Sequence, residues 1–269
     1  MAMGTGFLES IAQIWRSRDL LRELVARELK VRYRRSVLGF AWSLITPIYQ
    51  IVFYTLILKY ILHVQENDLG IKILCGIIPW TFFSVGVTNS CSAVLRYRNV
   101  VKKVAFPRHM LPLATVGANL VHLVLSTLVL FVVFLAIPVV FDETFLYLIP
   151  LTLGQTLLVA GLSFIVCCAH TYYQDVEYVL GNLLQVGMFL TPVLYPASKL
   201  DLVAPVYRTL FMLNPMAVYT EGWRNILLRH AQEFPEPVFV AAAVAVSVAV
   251  FIVGLAVWRR YEWRFPEVI

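Results

Sequence analysis

Charge is what this chain has least of. Only 14% of its 269 residues are Asp, Glu, Lys or Arg, where a soluble domain carries roughly 25%. With 60% hydrophobic residues, one water-facing core cannot hide so much apolar surface. The apolar runs are continuous rather than alternating, which argues against a transmembrane β-barrel. Cysteine is scarce. Cys75, Cys91, Cys167 and Cys168 all lie in apolar runs, with no CxxC pair and no histidine at metal spacing. Neither a disulfide framework nor a metal site is read there. Catalytic signatures are missing as well: the sequence holds no GxSxG or HExxH string and no DxD-like cluster on its loops. The acidic pairs Asp175/Glu177 and Asp142/Glu143 mark span ends better than they make a dyad, so no catalytic residue is assigned. No GxxxxGK[ST] string occurs, so this chain does not hold ATP in a P-loop. Charges almost absent from the apolar runs argue against proton or sodium coupling.

What is present reads as an all-α, polytopic membrane protein. Six spans of about 20 residues or more are expected: Val37–Leu62, Ile71–Leu95, Leu111–Phe141, Phe145–His170, Tyr178–Tyr195 and Val238–Trp258. The third contains Pro112 and Pro138, which puts its ends outside the bilayer. Charge fixes the orientation. Arg27, Lys30, Arg32, Arg34 and Arg35, after Arg22 upstream, run straight into the first span. With the N-terminus inside, sixteen of the twenty-two Lys and Arg fall on cytoplasmic segments, as the retention of positive charge requires. Both termini are therefore expected in the cytoplasm. Residues 1–36 form an interface segment, 37–258 the transmembrane domain and 259–269 a cytoplasmic tail. Met1–Ser10 carries Glu9 and no apolar h-region, so the first span is expected to serve as targeting signal.

Three stretches between spans carry pattern. From Asp19, read as a helix cap, Leu21, Leu24, Val25 and Leu29 recur at helical spacing with Arg on the other face, as in a helix lying along the inner surface. The inner loop 96–110 holds Arg96, Arg98, Lys102, Lys103 and Arg108 around Val100, Val104 and Phe106. It suits one or two helical turns before Pro107. That pattern fits a docking element for a cytosolic partner and ordinary positive-inside charge equally well. The outer segment 197–237 is too long for a turn. Phe211 is among its apolar residues, and Asn214-Pro215 opens a helix with Asn as cap and Pro first. Tyr219, Trp223, Ile226 and Leu227 follow on one face. Two short amphipathic helices at the outer leaflet are expected.

Aromatics complete the pattern. Trp42, Tyr49, Phe53 and Tyr60 recur at intervals of seven, four and seven, which puts them on one face of the first span. Tyr178, Gln185 and Phe189 share a face of the fifth, and Tyr195 ends it. Such faces suit sugar rings; they suit helix packing or an interfacial belt as well. Pro47 and Pro192 are read as bends in these two spans. The histidines are scattered, and His122, inside a span, is assigned an interhelical hydrogen bond.

Four stretches in order, RELKVRYRRSVLGFAWSLITPI, VVKKVAFPRHMLPL, YYQDVEYVLGNLLQVGMFLTPVLYP and LNPMAVYTEGWRNILL, resemble the membrane subunit of bacterial ABC exporters for O-antigen, capsular polysaccharide and teichoic acid, most nearly the O-antigen type. The resemblance implies a homodimer with two copies of a cytosolic ABC ATPase, Mg-ATP on that partner and no cofactor here. It implies a lipid bilayer setting, an undecaprenyl-linked polysaccharide as substrate and no nucleic acid. It places Trp42, Tyr49, Phe53, Tyr60, Phe189 and Tyr195 along the channel, the loop 96–110 on the ATPase, and Phe211, Asn214, Pro215, Tyr219 and Trp223 in an outer gate. Arg32, Arg34 and Arg35 are expected to meet headgroups or the pyrophosphate of the substrate. Rival readings are a permease for a smaller lipid or drug and a membrane-embedded transferase on lipid-linked sugars.

Overall fold

The computed structural model describes residues 7–34, 41–57, 60, 69–103, 106–135, 143–195, 197, 205–228 and 234–269. Among them every regular element is helical. Two helices, α1 (Phe7–Arg16) and α2 (Arg18–Tyr33), precede α3 (Trp42–Leu56) and α4 (Leu69–Cys91). The inner loop forms α5 (Ala93–Arg96) and α6 (Arg98–Lys103) before α7 (Met110–Phe134). A 3-10 turn, Glu143–Tyr147, leads into α8 (Leu148–Tyr172), and α9 (Val176–Phe189) follows. Then come α10 (Pro205–Met212), α11 (Pro215–Leu228), α12 (Pro237–Tyr261) and, after a 3-10 turn, α13 (Phe265–Val268).

Among the described residues, four stretches are long and apolar enough to cross a membrane: Gly70–Cys91, Met110–Phe134, Glu143–Tyr172 and Pro237–Val268. They correspond to the second, third, fourth and sixth expected spans. The first and fifth appear as α3 and α9, of 15 and 14 residues. At 1.5 Å per residue these described helices measure about 22.5 and 21 Å, against roughly 30 Å of hydrocarbon; residues 37–40 and 58–59 of the expected first span lie outside the described residues. Pro192 does not bend the fifth span. That helix ends at Phe189, because a proline disfavours helical backbone in the residue before it. Asp19 is likewise not a cap: Ser17 holds that position, and Asp19 sits in the first turn of α2 paired with Arg22 at the surface, 3.4 Å away.

The bundle is arranged around α4, against which α3, α7, α8, α9 and α11 all pack. Its spanning stretch is 78% buried, whereas that of α12 is 22% buried and lies at the periphery. One apolar core joins α4, α7, α8 and α11. A second lies at the basic end, where Val94, Tyr97 and Val101 of the inner loop meet Phe164, Cys167, Trp258 and Phe265. The expected C-terminal tail is thus folded in. Phe265 is buried, and α13 packs against α6 and α8.

Lipid tails are as apolar as leucine, so helices in a membrane associate through close packing, and small residues permit it. A Cβ on Gly161 of α8 would lie 2.6 Å from the backbone of Val250 and Phe251 in α12, and one on Gly254 would strike the Gly161 carbonyl. Neither neighbour is a side chain that can swing away. Gly254→Val should therefore cost about 3 kcal/mol or more, the upper range of overpacking, and abolish a monodisperse peak in detergent chromatography. Gly181→Ala, in open space on α9, should melt at or slightly above wild type.

Candidate functional site

The expected outer-gate residues lie on α10, at the start of α11 and on α11 itself, a helix that also carries a buried polar knot. α11 was expected to be amphipathic, yet Met216–Leu227 are all buried. Asn214 caps it as expected, its Oδ1 accepting from the Met216 amide at 3.0 Å, while its Nδ2 donates to Thr191 Oγ1 at 3.0 Å. Tyr219 shares a 2.7 Å hydrogen bond with Ser247 of α12. Trp223 is buried and Phe211 half-buried.

One turn on, Arg224 and Glu221 form a buried ion pair. Charge reading placed Arg224 in an outer loop; it lies 3% exposed inside the protein. A guanidinium has five N–H donors, and each has an acceptor. Nε donates to Lys72 O at 3.2 Å, and Nη1 to Tyr195 O at 3.1 Å and to Glu221. Nη2 donates to Pro192 O and Val193 O, both at 2.7 Å. The other Glu221 oxygen accepts from the Ala197 amide at 3.1 Å. The cause lies in the chain after α9. Pro192 stops the helix, and the carbonyls of residues 192–195 lose helical partners. Buried backbone outside a helix must find others. Gly76 of α4 makes room, since a Cβ there would meet Val193 O and Arg224 Nη2. The signal available in the sequence was Glu221-x-x-Arg224 on an apolar helix, a spacing that faces the two charges.

A second polar network lies at the basic end. Glu28 of α2, unremarked in the sequence, is 7% exposed. It accepts from the Tyr97 hydroxyl at 2.8 Å, and Arg96 Nη2 lies 3.7 Å from its other oxygen. Arg27 stacks over the Tyr97 ring at 5.0 Å. Burial, followed by the Glu28 carboxylate, pushes the Tyr97 hydroxyl up to about 12, so it remains a donor at physiological pH. Arg96 also donates to Asn89 O at 2.9 Å and Thr115 Oγ1 at 3.3 Å. Arg108 donates to Glu262 O at 2.7 Å, tying the loop to the C-terminal segment. Two of the five basic loop residues are thus turned to structure. Arg98, Lys102 and Lys103 remain exposed on α6, Val101 is buried, and Val100 and Phe106 are half-buried. Val104 lies outside the described residues, as does Arg35; Arg34 is exposed at the end of α2.

The aromatic faces stand apart from both networks. Trp42, Tyr49, Phe53 and Tyr60 are 47 to 65% exposed in the single chain. On α9, Tyr178 and Phe189 are 77% and 62% exposed. Tyr195 differs: its hydroxyl donates to Phe189 O at 2.9 Å and closes the end of α9. Both short helices pack on α4 through one side and leave their aromatic sides uncovered.

This chain belongs to the ABC-2 type transporter family, whose description matches residues 19–228. It is an integral protein of the bacterial inner membrane. It is similar to the O-antigen export system permease protein RfbA of Myxococcus xanthus, 32% identical over 96% of this chain and 98% of that protein. RfbA of Klebsiella pneumoniae is 26% identical over 93% of this chain and 95% of its own length. The polysialic acid transport protein KpsM of Escherichia coli is 22% identical, over 89% and 92%.

The knot generates a stability prediction. Arg224→Met leaves Glu221 charged and buried and four carbonyls without their donors, so it should cost about 3–5 kcal/mol. Arg224→Lys, with three donors for five acceptors, should fall between that variant and wild type. Thermal melts of the purified protein in one detergent read the order. Arg224→Met melting with wild type would contradict it.

Proposed function

We propose that this chain is the permease subunit of an ATP-driven exporter that moves an undecaprenyl-linked polysaccharide, of the O-antigen class, across the inner membrane. The observation that carries this reading is the pair of uncovered aromatic faces on α3 and α9, in a chain aligned nearly end to end with O-antigen export permeases. A single chain does not bury them. A second copy does, with the faces lining a conduit in which rings stack on sugars and polar edges meet hydroxyls. In this arrangement α3 and α9 are the first and fifth of six spans, and both termini lie in the cytoplasm.

The partner is a pair of ABC ATPase subunits carrying Mg-ATP. The exposed cations of α6 meet them, and the packed α5, α13 and Arg108–Glu262 contact give α6 a firm seat from which to transmit force. α10 and α11 close the outer end. Arg32 and Arg34, with Arg35, hold the substrate's pyrophosphate at the inner face. The chain performs no covalent chemistry; ATP hydrolysis belongs to the partner.

The aromatic side chains on α3 are exposed, so removing them spares the core. Trp42→Ala, Tyr49→Ala and Phe53→Ala together remove contacts worth about 0.5–1.5 kcal/mol each. Surface glycan export should fall at least about tenfold, with lipid-linked polymer accumulating inside, while membrane level and co-purification with the ATPase hold. Export at wild-type rate from the triple variant would overturn the conduit. Failure of the wild-type chain to co-purify with any ABC ATPase would overturn the permease reading.

A further inference from the structure

A cavity of about 270 Å³ opens where the end of α2 meets α3, α4 and α7. Its lining is polar on four elements: Arg32 from α2, Thr46 and Gln50 from α3, Thr81 from α4, and Asn119, His122 and Ser126 from α7. Ser126 lies sixteen residues into a membrane-spanning helix, about 24 Å along its axis. Polar side chains clustered at such depth are costly and mark functional sites. The volume is several times the roughly 30 Å³ share of one water, so a single ordered water does not fill it.

Asn119 organises the cavity. It is 3% exposed, and its Nδ2 donates to Thr115 O at 2.8 Å, which fixes the amide. Its Oδ1 accepts from Arg32 Nη1 at 3.1 Å and Asn89 Nδ2 at 3.4 Å. The guanidinium is thus held at the rim. Around it stand the Gln50 amide, an imidazole and three hydroxyls, all able to donate, and none of the lining residues is a carboxylate. A fork of cationic donors backed by neutral donors is the chemistry of phosphate recognition. The exposed apolar side chains Val85 of α4 and Val124 and Leu128 of α7 lie on the same two helices, where an acyl or prenyl chain can run.

We propose that this cavity binds the phosphate group of a lipid headgroup. The inference rests on the permease reading for the substrate's class and goes beyond it in assigning Gln50, Asn119 and His122 to the headgroup. It also supplies a readout. Asn89, which shares the Asn119 oxygen, presents its backbone carbonyl to Arg96 at 2.9 Å, and Arg96 reaches Glu28 in turn. A phosphate that draws Arg32 from Asn119 changes the hydrogen bonding of the inner loop.

The test uses the full chain co-purified with its ATPase in detergent. Melting temperature is followed against farnesyl diphosphate, phosphatidylglycerol, inorganic pyrophosphate and the uncharged farnesol. Saturable stabilisation by a phosphate-bearing lipid and none by farnesol is expected. Arg32→Gln, Gln50→Leu and His122→Leu should each weaken it at least about tenfold, or 1.4 kcal/mol. Tighter binding of farnesyl diphosphate names a lipid-linked glycan as the source, and tighter binding of phosphatidylglycerol names a bilayer lipid. Binding of pyrophosphate alone with equal strength would overturn the lipid assignment. Should a variant fail to fold, a photoreactive farnesyl diphosphate analogue on wild type should label peptides of α3 and α7. Unchanged affinity in all folded variants, or label elsewhere, overturns the proposal. The wild-type complex still assembling and exporting glycan would leave the permease reading standing.

Discussion

A guanidinium whose five N–H groups all meet acceptors holds the far end of this molecule together. Arg224 sits on α11, yet four of its acceptors are backbone carbonyls on other elements, three of them in the stretch that follows α9. Burying an ion pair seldom adds net stability, because desolvation offsets the attraction. Here the pair does something a hydrophobic substitute cannot. It supplies hydrogen-bond donors to buried chain that has left the helix, where unpaired carbonyls are costly. Gly76, Pro192, Glu221 and Asn214 all follow from that requirement. Gly76 opens the space, Pro192 ends the helix, Glu221 neutralises the cation and holds the Ala197 amide, and Asn214 ties the helix start to Thr191.

The basic end solves a different problem by similar means. A surface-lying helix and a six-residue loop helix have little core of their own. Glu28, Tyr97 and Arg96 join α2 to the loop, and Trp258 and Phe265 bring the C-terminal segment beneath it. Each end of the bundle is therefore fixed by a polar network backed by aromatic packing. Between them α3 and α9 keep exposed faces. The ends are firm, and the two short helices between them are the least covered elements of the bundle.

Much of the architecture was legible from composition and periodicity. Continuous apolar runs located the starts of the four long spans within a residue or two, while the expected end of the third, Phe141, lies outside the described residues; Asn214-Pro215 marked the start of α11, and the basic loop held its expected helix. What escaped was burial that depends on partners distant in sequence. Hydropathy counts Arg224 and Glu221 as polar wherever they stand, and it cannot see that they neutralise each other or that broken backbone awaits the arginine. The same blindness made α11 amphipathic and left Glu28 unnoticed. The aromatic spacing did predict that Trp42, Tyr49 and Phe53 share a face of α3, because helical period alone decides that; Tyr60 lies beyond the end of that helix. Tyr195 joined the aromatic set by position and turned out to bond the end of α9, a local contact that periodicity does not encode.

The central claim is that α11 and the turn after α9 form one fixed unit while α9 itself is lightly held. Hydrogen–deuterium exchange on the purified protein in lipid nanodiscs measures this directly, since protection reports local opening free energy. The account predicts that amides of 216–227 exchange slowest in the molecule and that those of 177–188 exchange at least about a hundredfold faster, a difference of some 2.7 kcal/mol. Equal protection of the two helices, or faster exchange in α11 than in α9, would contradict it.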